Sequence, residues 1–380
     1  MSRRINPLRA ALVACALAVP VAVAGTTAPT ASAANVMTML GGDVSTLQRT
    51  QDLQHSGATT FKYYNAAGTV SDPIDVLKGA GMNYARLRIW HNPKSGYNNK
   101  AKVLQQARTL KAKGLKVMID FHYSDTWADP GKQYKPAAWS THSLTQLQKD
   151  VYDHTYDVCT ALKAQGTTPD SVQIGNEINV GMLWNEGKVV NSKFAPLAAL
   201  LKSGYNATKA CNAGTQVIIH TAHADSNAKA RWFFDGITAQ GVRWDITGQS
   251  YYCMWHGTLG NLYNNIVDLR TRYGKPVVIV ETAYPFTTAD ADGFHNSIPG
   301  TTTCDGIPAT WEGQAKQFTW VQNTARNAGA LGVFYWEPTW TAVKGNGWNP
   351  DDINGSGNEW ENMAVFDWNG RVNPHVRWTP

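Results

Sequence analysis

The chain is 380 residues long, with 15 Trp, 15 Tyr and a formal charge of +6. Three of its arginines, Arg3, Arg4 and Arg9, crowd the N-terminus, so the remainder carries only about +3 with no Lys/Arg run, a balance that argues against a nucleic-acid partner. So many aromatic rings suit carbohydrate instead, because the C–H faces of pyranoses stack on aromatic planes.

The first predicted element is an export signal. The three arginines precede an apolar run over residues 10–25, and Ala31-Ser32-Ala33 offers a small-residue cleavage site. The run is short for a membrane span and no stop-transfer pattern follows. Residues 1–33 are therefore expected to leave as a signal peptide, with a secreted, extracellular product and no membrane partner. Residues 34–380 are expected to be one catalytic domain. Two average domains would fit that length, but single α/β barrels also reach it, and no Pro/Ser/Gly linker divides the chain.

Strand-like apolar runs follow at residues 36–42, 84–90, 116–122, 171–177, 216–220, 246–252, 276–281 and 331–336. Helix-like segments lie between them. Residues 102–113 carry Val103, Ala107 and Leu110 before Gly114, and residues 144–162 carry Leu144, Leu147, Val151, Val158 and Leu162 on one face. Eight strands alternating with helices predict an α/β fold of the (β/α)8 TIM-barrel type. A doubly wound sheet would call for a Gly-rich phosphate loop after the first strand, and there is none. The irregular stretches 92–100, 124–141, 287–310 and 341–361 all follow strands, and in a barrel such loops build the active-site face. Beyond the signal the cysteines are Cys159, Cys211, Cys253 and Cys304. An even number in an exported chain predicts two disulfides, with three pairings open, and no C-x-x-C spacing points to zinc.

Chemistry is expected where charged residues close apolar strands, since that is the rim on which barrel enzymes react. Glu177 follows Val172-Gln173-Ile174-Gly175-Asn176, and Glu281 ends Val278-Ile279-Val280. Two such carboxylates facing each other can cleave a glycosidic bond, one protonating the leaving oxygen and the other capturing the anomeric carbon. Arg86, Arg88 and Trp90 alternate on one strand face, as do Asp120, His122 and Ser124 on the next, and Phe334 and Trp336 on the last. Two arginines inside a barrel would be costly to bury unpaired, so carboxylate partners are expected.

The string Gly41-Gly42-Asp43-Val44-Ser45, the block 120–133 that opens Asp120-Phe121-His122-Tyr123, then Gly175-Asn176-Glu177-Ile178, Ser250-Tyr251-Tyr252, Glu281-Thr282-Ala283-Tyr284-Pro285 and Trp360-Glu361-Asn362 resemble the arabinogalactan endo-β-1,4-galactanases, glycoside hydrolase family 53. The resemblance runs in order from about Leu40 to Pro374. It implies endo-hydrolysis of β-1,4-galactan or type I arabinogalactan with retention, Glu177 as acid/base and Glu281 as nucleophile. It further implies that Arg88 and His122 border the reacting sugar, that Asn176 binds its 2-hydroxyl, and that Trp336 stacks beneath it. Tyr252, or its neighbour Tyr251, would hydrogen-bond the nucleophile, and Trp90, Asp125 and His256 would touch sugar elsewhere. No cofactor is implied for the chemistry and the enzyme is expected to be a monomer. A structural calcium is implied by likeness to some bacterial members, with Asp290, Asp292 and Asn296 as ligands and Asp351, Asp352 and Glu361 as further oxygen donors. Two other readings are a barrel glycosidase acting on mannan, xylan or cellulose, and a carbohydrate-binding barrel without turnover. On a barrel, Cys159 and Cys211 would end neighbouring helices and are expected to pair. Cys253 and Cys304 would lie on the catalytic face and form the second bridge.

Overall fold

Eight strands pair in parallel and in chain order, and β8 returns to β1, so the sheet closes on itself. They are β1 Met39–Asp43, β2 Tyr84–Ile89, β3 Lys116–Phe121, β4 Ser171–Ile174, β5 Gln216–Thr221, β6 Ile246–Ser250, β7 Val277–Thr282 and β8 Gly332–Trp336. This is the (β/α)8 barrel that the alternation of strand and helix signals predicts. The computed structural model describes residues 1–2, 35–298 and 304–380. Apart from its first two residues, the signal peptide expected over 1–33 lies outside the described residues. Residues Asn35–Pro380 form one compact unit. Among the described residues, no helix is long and apolar enough to cross a membrane.

Strands covered on both faces must be apolar on both, which is why they read as runs rather than alternations. Leu87, Ile119, Val172 and Val217 point outward into the layer shared with the helices. Met39, Tyr84, Met118, Ile218, Ile246, Val278, Val280 and Phe334 make a separate cluster that fills the barrel interior. Gly41 gives Phe334 its room: a Cβ there would come within 2.1 Å of the ring.

The outer ring comprises α1 Leu47–His55 and α2 Pro73–Gly79 after β1, α3 Lys100–Ala112 after β2, α4 Leu144–Ala164 after β3 and α5 Ala195–Cys211 after β4. It continues with α6 Asn227–Ala239 after β5, the short α7 Cys253–His256 and α8 Leu259–Tyr273 after β6, and α9 Trp311–Asn327 after β7. Side chains that accept the orphan amides set the starts. Ser143 and Gln146 form a capping box on α4, while Asn99, Ser226, Thr258 and Thr310 cap α3, α6, α8 and α9. The stripe read along residues 144–162 is the buried face of α4: Leu147, Val151, Val158 and Leu162. Both expected disulfides are present. Cys159–Cys211 ties α4 to the end of α5 with Cα atoms 6.2 Å apart, and Cys253–Cys304 ties α7 to the loop after β7 at 6.0 Å.

Candidate active site

Above the apolar filling the inward positions turn polar: Asp43, Arg86, Asp120, Gln173, His220, Ser250 and Glu281, all buried. Arg86 organises them. Its Nη1 meets Asp43 Oδ2 at 2.8 Å and Glu281 Oε1 at 2.9 Å, and its Nη2 meets Asp120 Oδ2 at 2.9 Å and Asn176 Oδ1 at 2.8 Å. Burial alone would weaken its charge, but Asp120, Glu281 and Asp43 outweigh that and hold the guanidinium protonated. The carboxylate partners expected for an arginine inside the barrel are thus found. Those of Arg86 come from three strands, and the partner of Arg88 is Glu337 just past β8, with Nη1 to Oε1 at 3.3 Å.

Two local irregularities aim the glutamates. Along β7, Val278 and Val280 face inward, and strict alternation would turn Glu281 out. The β6–β7 register shifts between Gln249 and Ser250, so one extra residue brings Glu281 in beside Val280, as a β-bulge does. The expectation that strand four runs to residue 177 needs correction. β4 ends at Ile174, because Gly175 and Glu177 take left-handed φ values of 81° and 47°. A Cβ at Gly175 would lie 2.6 Å from Ile178 Cγ2, so only glycine permits the turn. The strand likewise expected to reach residue 252 stops at Ser250, and α7 begins three residues later at Cys253.

The two carboxyl groups meet different neighbours. Glu281 Oε1 is paired with Arg86, and its Oε2 accepts from the Tyr252 hydroxyl at 3.0 Å. Glu177 Oε1 accepts from Ser250 Oγ at 2.6 Å. Burial pushes both carboxyls up, and the charge of Glu281 pushes Glu177 further, whereas Arg86 pulls Glu281 back. Of the pair, Glu281 gives up its proton first.

Between them opens a cleft of ≈ 500 Å³. Of the residues expected around the sugar, Arg88, His122, Asn176, Tyr252, His256 and Trp336 line it with both glutamates. Asn176 Nδ2 donates one hydrogen to Ala128 O at 2.8 Å, which leaves its second N–H for a ligand. His122 presents a ring whose nitrogens are already engaged, Nε2 with Asp120 and Nδ1 with Trp90 Nε1 and Ala128 N. Burial keeps that ring neutral. Tyr252, not Tyr251, reaches Glu281; Tyr251 donates to Gly257 O.

Trp90 and Asp125 are not among the lining residues. The ring of Trp90 lies 5.0 Å from the Arg88 guanidinium and edge-on to Trp127. Asp125 spends both carboxylate oxygens on loop amides, Asn92 N and Ala137 N. The reading missed several contributors. Trp127, Trp348 and Trp360 wall the cleft and the half-exposed Trp255 stands at its edge. Trp127, Trp348 and Trp360 sit in irregular loops and Trp255 in the four-residue α7, where no periodicity marks a face. Ser250, His220 and Gln173 are uncharged residues within strands, visible only once the barrel brings them together.

Beside the cleft, Asp290, Asp292 and Glu361 place carboxylate oxygens within 4.8 Å of one another. Glu361 Oε2 and, six residues after Asp290, Asn296 Oδ1 are buried without a partner.

Residues 39–378 match the sequence family described as Glycosyl hydrolase family 53. An arabinogalactan endo-beta-1,4-galactanase of Cellvibrio japonicus is 34% identical, the alignment covering 90% of this chain and 89% of that one. An endo-beta-1,4-galactanase of Bacillus subtilis is 31% identical over 89% of this chain and 84% of its own. Among solved structures, the Ignisphaera aggregans GH53 catalytic domain superposes with a TM-score of 0.81 at 35% identity, covering 91% of this chain and 96% of that domain.

Proposed function

The chain belongs to glycosyl hydrolase family 53, and from that membership we propose that it is an endo-acting galactanase. It hydrolyses β-1,4-galactosidic bonds within galactan and type I arabinogalactan by a retaining double displacement. One observation carries the assignment of roles: a buried Glu281 and a half-buried Glu177 share a cleft, yet only Glu281 is held by a cation and a phenol. Ionised first, Glu281 attacks the anomeric carbon while Glu177, still protonated, gives its proton to the departing oxygen; the C–O bond breaks with its electron pair going to that oxygen. Glu177 then takes a proton from water, which displaces Glu281 and restores both groups. The free N–H of Asn176 suits a 2-hydroxyl beside the reacting carbon, and Trp336 offers the apolar face beneath it.

We take the enzyme to act as a monomer. The secreted catalytic domain would comprise residues 34–380, and two disulfides fit an oxidising compartment. Incubation with purified potato galactan, mannan, xylan and cellulose tests the substrate. Rapid viscosity loss and galacto-oligosaccharides from galactan alone are expected. Release of reducing ends from mannan or xylan at a comparable rate would favour a different β-glycanase.

The acidic cluster between the loops after β7 and β8 suits a calcium ion, which takes six to eight oxygens. Asp290, Asp292 and Glu361 would hold it, Asn296 Oδ1 lies close enough in sequence to join them, and Asp351 and Asp352 are not part of the cluster. Burial pushes the Glu361 carboxyl up to about 7, a cost that a cation would remove. The ion would pin two loops and leave the chemistry to the glutamates. Chelation is expected to lower the melting temperature and calcium to restore it; a melting temperature indifferent to both would remove the ion from the account.

A further inference from the structure

Ser250 and His220 take no part in the roles assigned so far, yet both sit directly behind Glu177. His220 Nδ1 faces two donors, Gln173 Nε2 at 3.0 Å and the backbone N–H of Glu177 at 3.3 Å, and one acceptor, Asn176 Oδ1 at 3.1 Å. The amide of Gln173 has one orientation, because its Oε1 accepts from Arg86 and its Nε2 donates to Asp120 Oδ1 at 2.5 Å. The Asn176 oxygen already accepts from Arg86 Nη2 at 2.8 Å and Gln173 Nε2 at 3.2 Å, whereas among the described residues the Glu177 N–H has Nδ1 as its one acceptor, so Nδ1 accepts and the single proton of the neutral ring is on Nε2. From there it is donated to Ser250 Oγ at 2.8 Å. Ser250 has one hydrogen, and it goes to Glu177 Oε1 at 2.6 Å. The reverse direction would set an Nδ1–H against both donors.

From this one-way chain we propose that Ser250 and His220 are positioning residues that decide which oxygen of Glu177 carries the transferable proton. Oε1 is an obligate acceptor whether the carboxyl is protonated or not. The proton therefore leaves from and returns to Oε2. In the first step the Oε2–H bond breaks as the glycosidic oxygen gains the proton, and in the second Oε2 regains one from water. The Glu177 amide bond to His220 and the Ile178 amide bond to the His220 carbonyl at 3.1 Å lock the relay to the turn that carries the acid.

The surrounding charges keep the relay in this state. Burial lowers the His220 pKa well below its usual range, Arg86, His122 and His256 act in the same sense, and only Asp120 opposes them. Around Glu177, Glu281 and Asp129 favour the acid form, while Arg86 and the Ser250 hydroxyl favour the carboxylate.

The proposal rests on Glu177 being the acid/base, so the test carries that control. Ser250→Ala, Ser250→Thr and Glu177→Ala are assayed on galactan and on 2,4-dinitrophenyl β-galactobioside, whose leaving group departs without a proton. Ser250→Ala is expected to lose about tenfold or more on galactan, within the 10²–10⁴-fold that proton transfer supplies, and less than about threefold on the aryl glycoside. Its alkaline limb should move to higher pH, since a donor that favoured the carboxylate is gone. Ser250→Thr, which keeps the hydroxyl, should restore both readouts. Should Ser250→Ala fail to fold, Ser250→Cys supplies the same split with a weak donor. Equal losses on the two substrates, or an unmoved alkaline limb, would overturn the positioning role. If Glu177→Ala also loses both substrates equally, the acid/base assignment itself fails.

Discussion

Three carboxylates, Asp43, Asp120 and Glu281, pair with the one guanidinium of Arg86, whereas Glu177 feels Arg86 only at longer range and has no ion-pair partner among the described residues. That inequality is the basis of the roles proposed for the two glutamates, and it has a cost in stability. The folded-state pKa of Glu177 is raised by burial and by Glu281. A carboxyl raised in the folded state contributes stability that is fully present below its unfolded pKa and is lost as pH climbs toward the folded value. Glutamine at this position has nothing to lose. The melting temperature of Glu177→Gln relative to the parent chain should therefore rise steadily as pH increases from about 4, the ordinary glutamate value, toward 8. The same variant should lose the alkaline limb of its pH–rate profile. Calorimetry across that range checks the first expectation; a difference that does not vary with pH would contradict it.

Among the elements, strands and helices were largely legible because burial on both faces writes apolar runs and burial on one face writes a 3.6-residue stripe. The limits of strands β4 and β6 were not, since a left-handed turn at Gly175 and a four-residue helix at Cys253 override local propensity. Glu177 and Glu281 could be found because charge at the end of an apolar strand is conspicuous. The bulge that brings Glu281 inside could not, because it exists only as a register against β6. Glu337 was missed for a like reason: its partner Arg88 is 249 positions away in sequence. Arg88 signalled that a carboxylate was needed without saying which. Close packing within the barrel gives the element-scale test. Gly41→Ala would drive a methyl into Phe334, and overpacking of this kind costs roughly 1–3 kcal/mol. Denaturant unfolding should register it, and Phe334→Leu should relieve it; an unchanged midpoint in Gly41→Ala would mean the interior is looser than described.

At the scale of the whole molecule, the two crosslinks divide stability from function. Their separations of 52 and 51 residues are alike, so each should contribute on the order of 4 kcal/mol through loop entropy. Cys159–Cys211 joins two outer helices far from the glutamates, whereas Cys253–Cys304 holds the segment directly after Tyr252. Cys211→Ala should thus lower the melting temperature with little change in kcat/KM on galactan. Cys304→Ala should lower both, and equal kinetics in the two variants would deny the second bridge any role in shaping the cleft. The central claim, that this barrel cuts galactan through a covalent intermediate on Glu281, can be put to one measurement. A 2-deoxy-2-fluoro-β-galactobiosyl fluoride, which forms the glycosyl-enzyme but hydrolyses it slowly, is incubated with the protein, and its peptic peptides are weighed. A galactobiosyl mass increment on the peptide containing Glu281, absent from Glu281→Gln, is the expected result. Labelling of Glu177 or of any other residue, or steady turnover with no label and an α-anomer as first product, would contradict it.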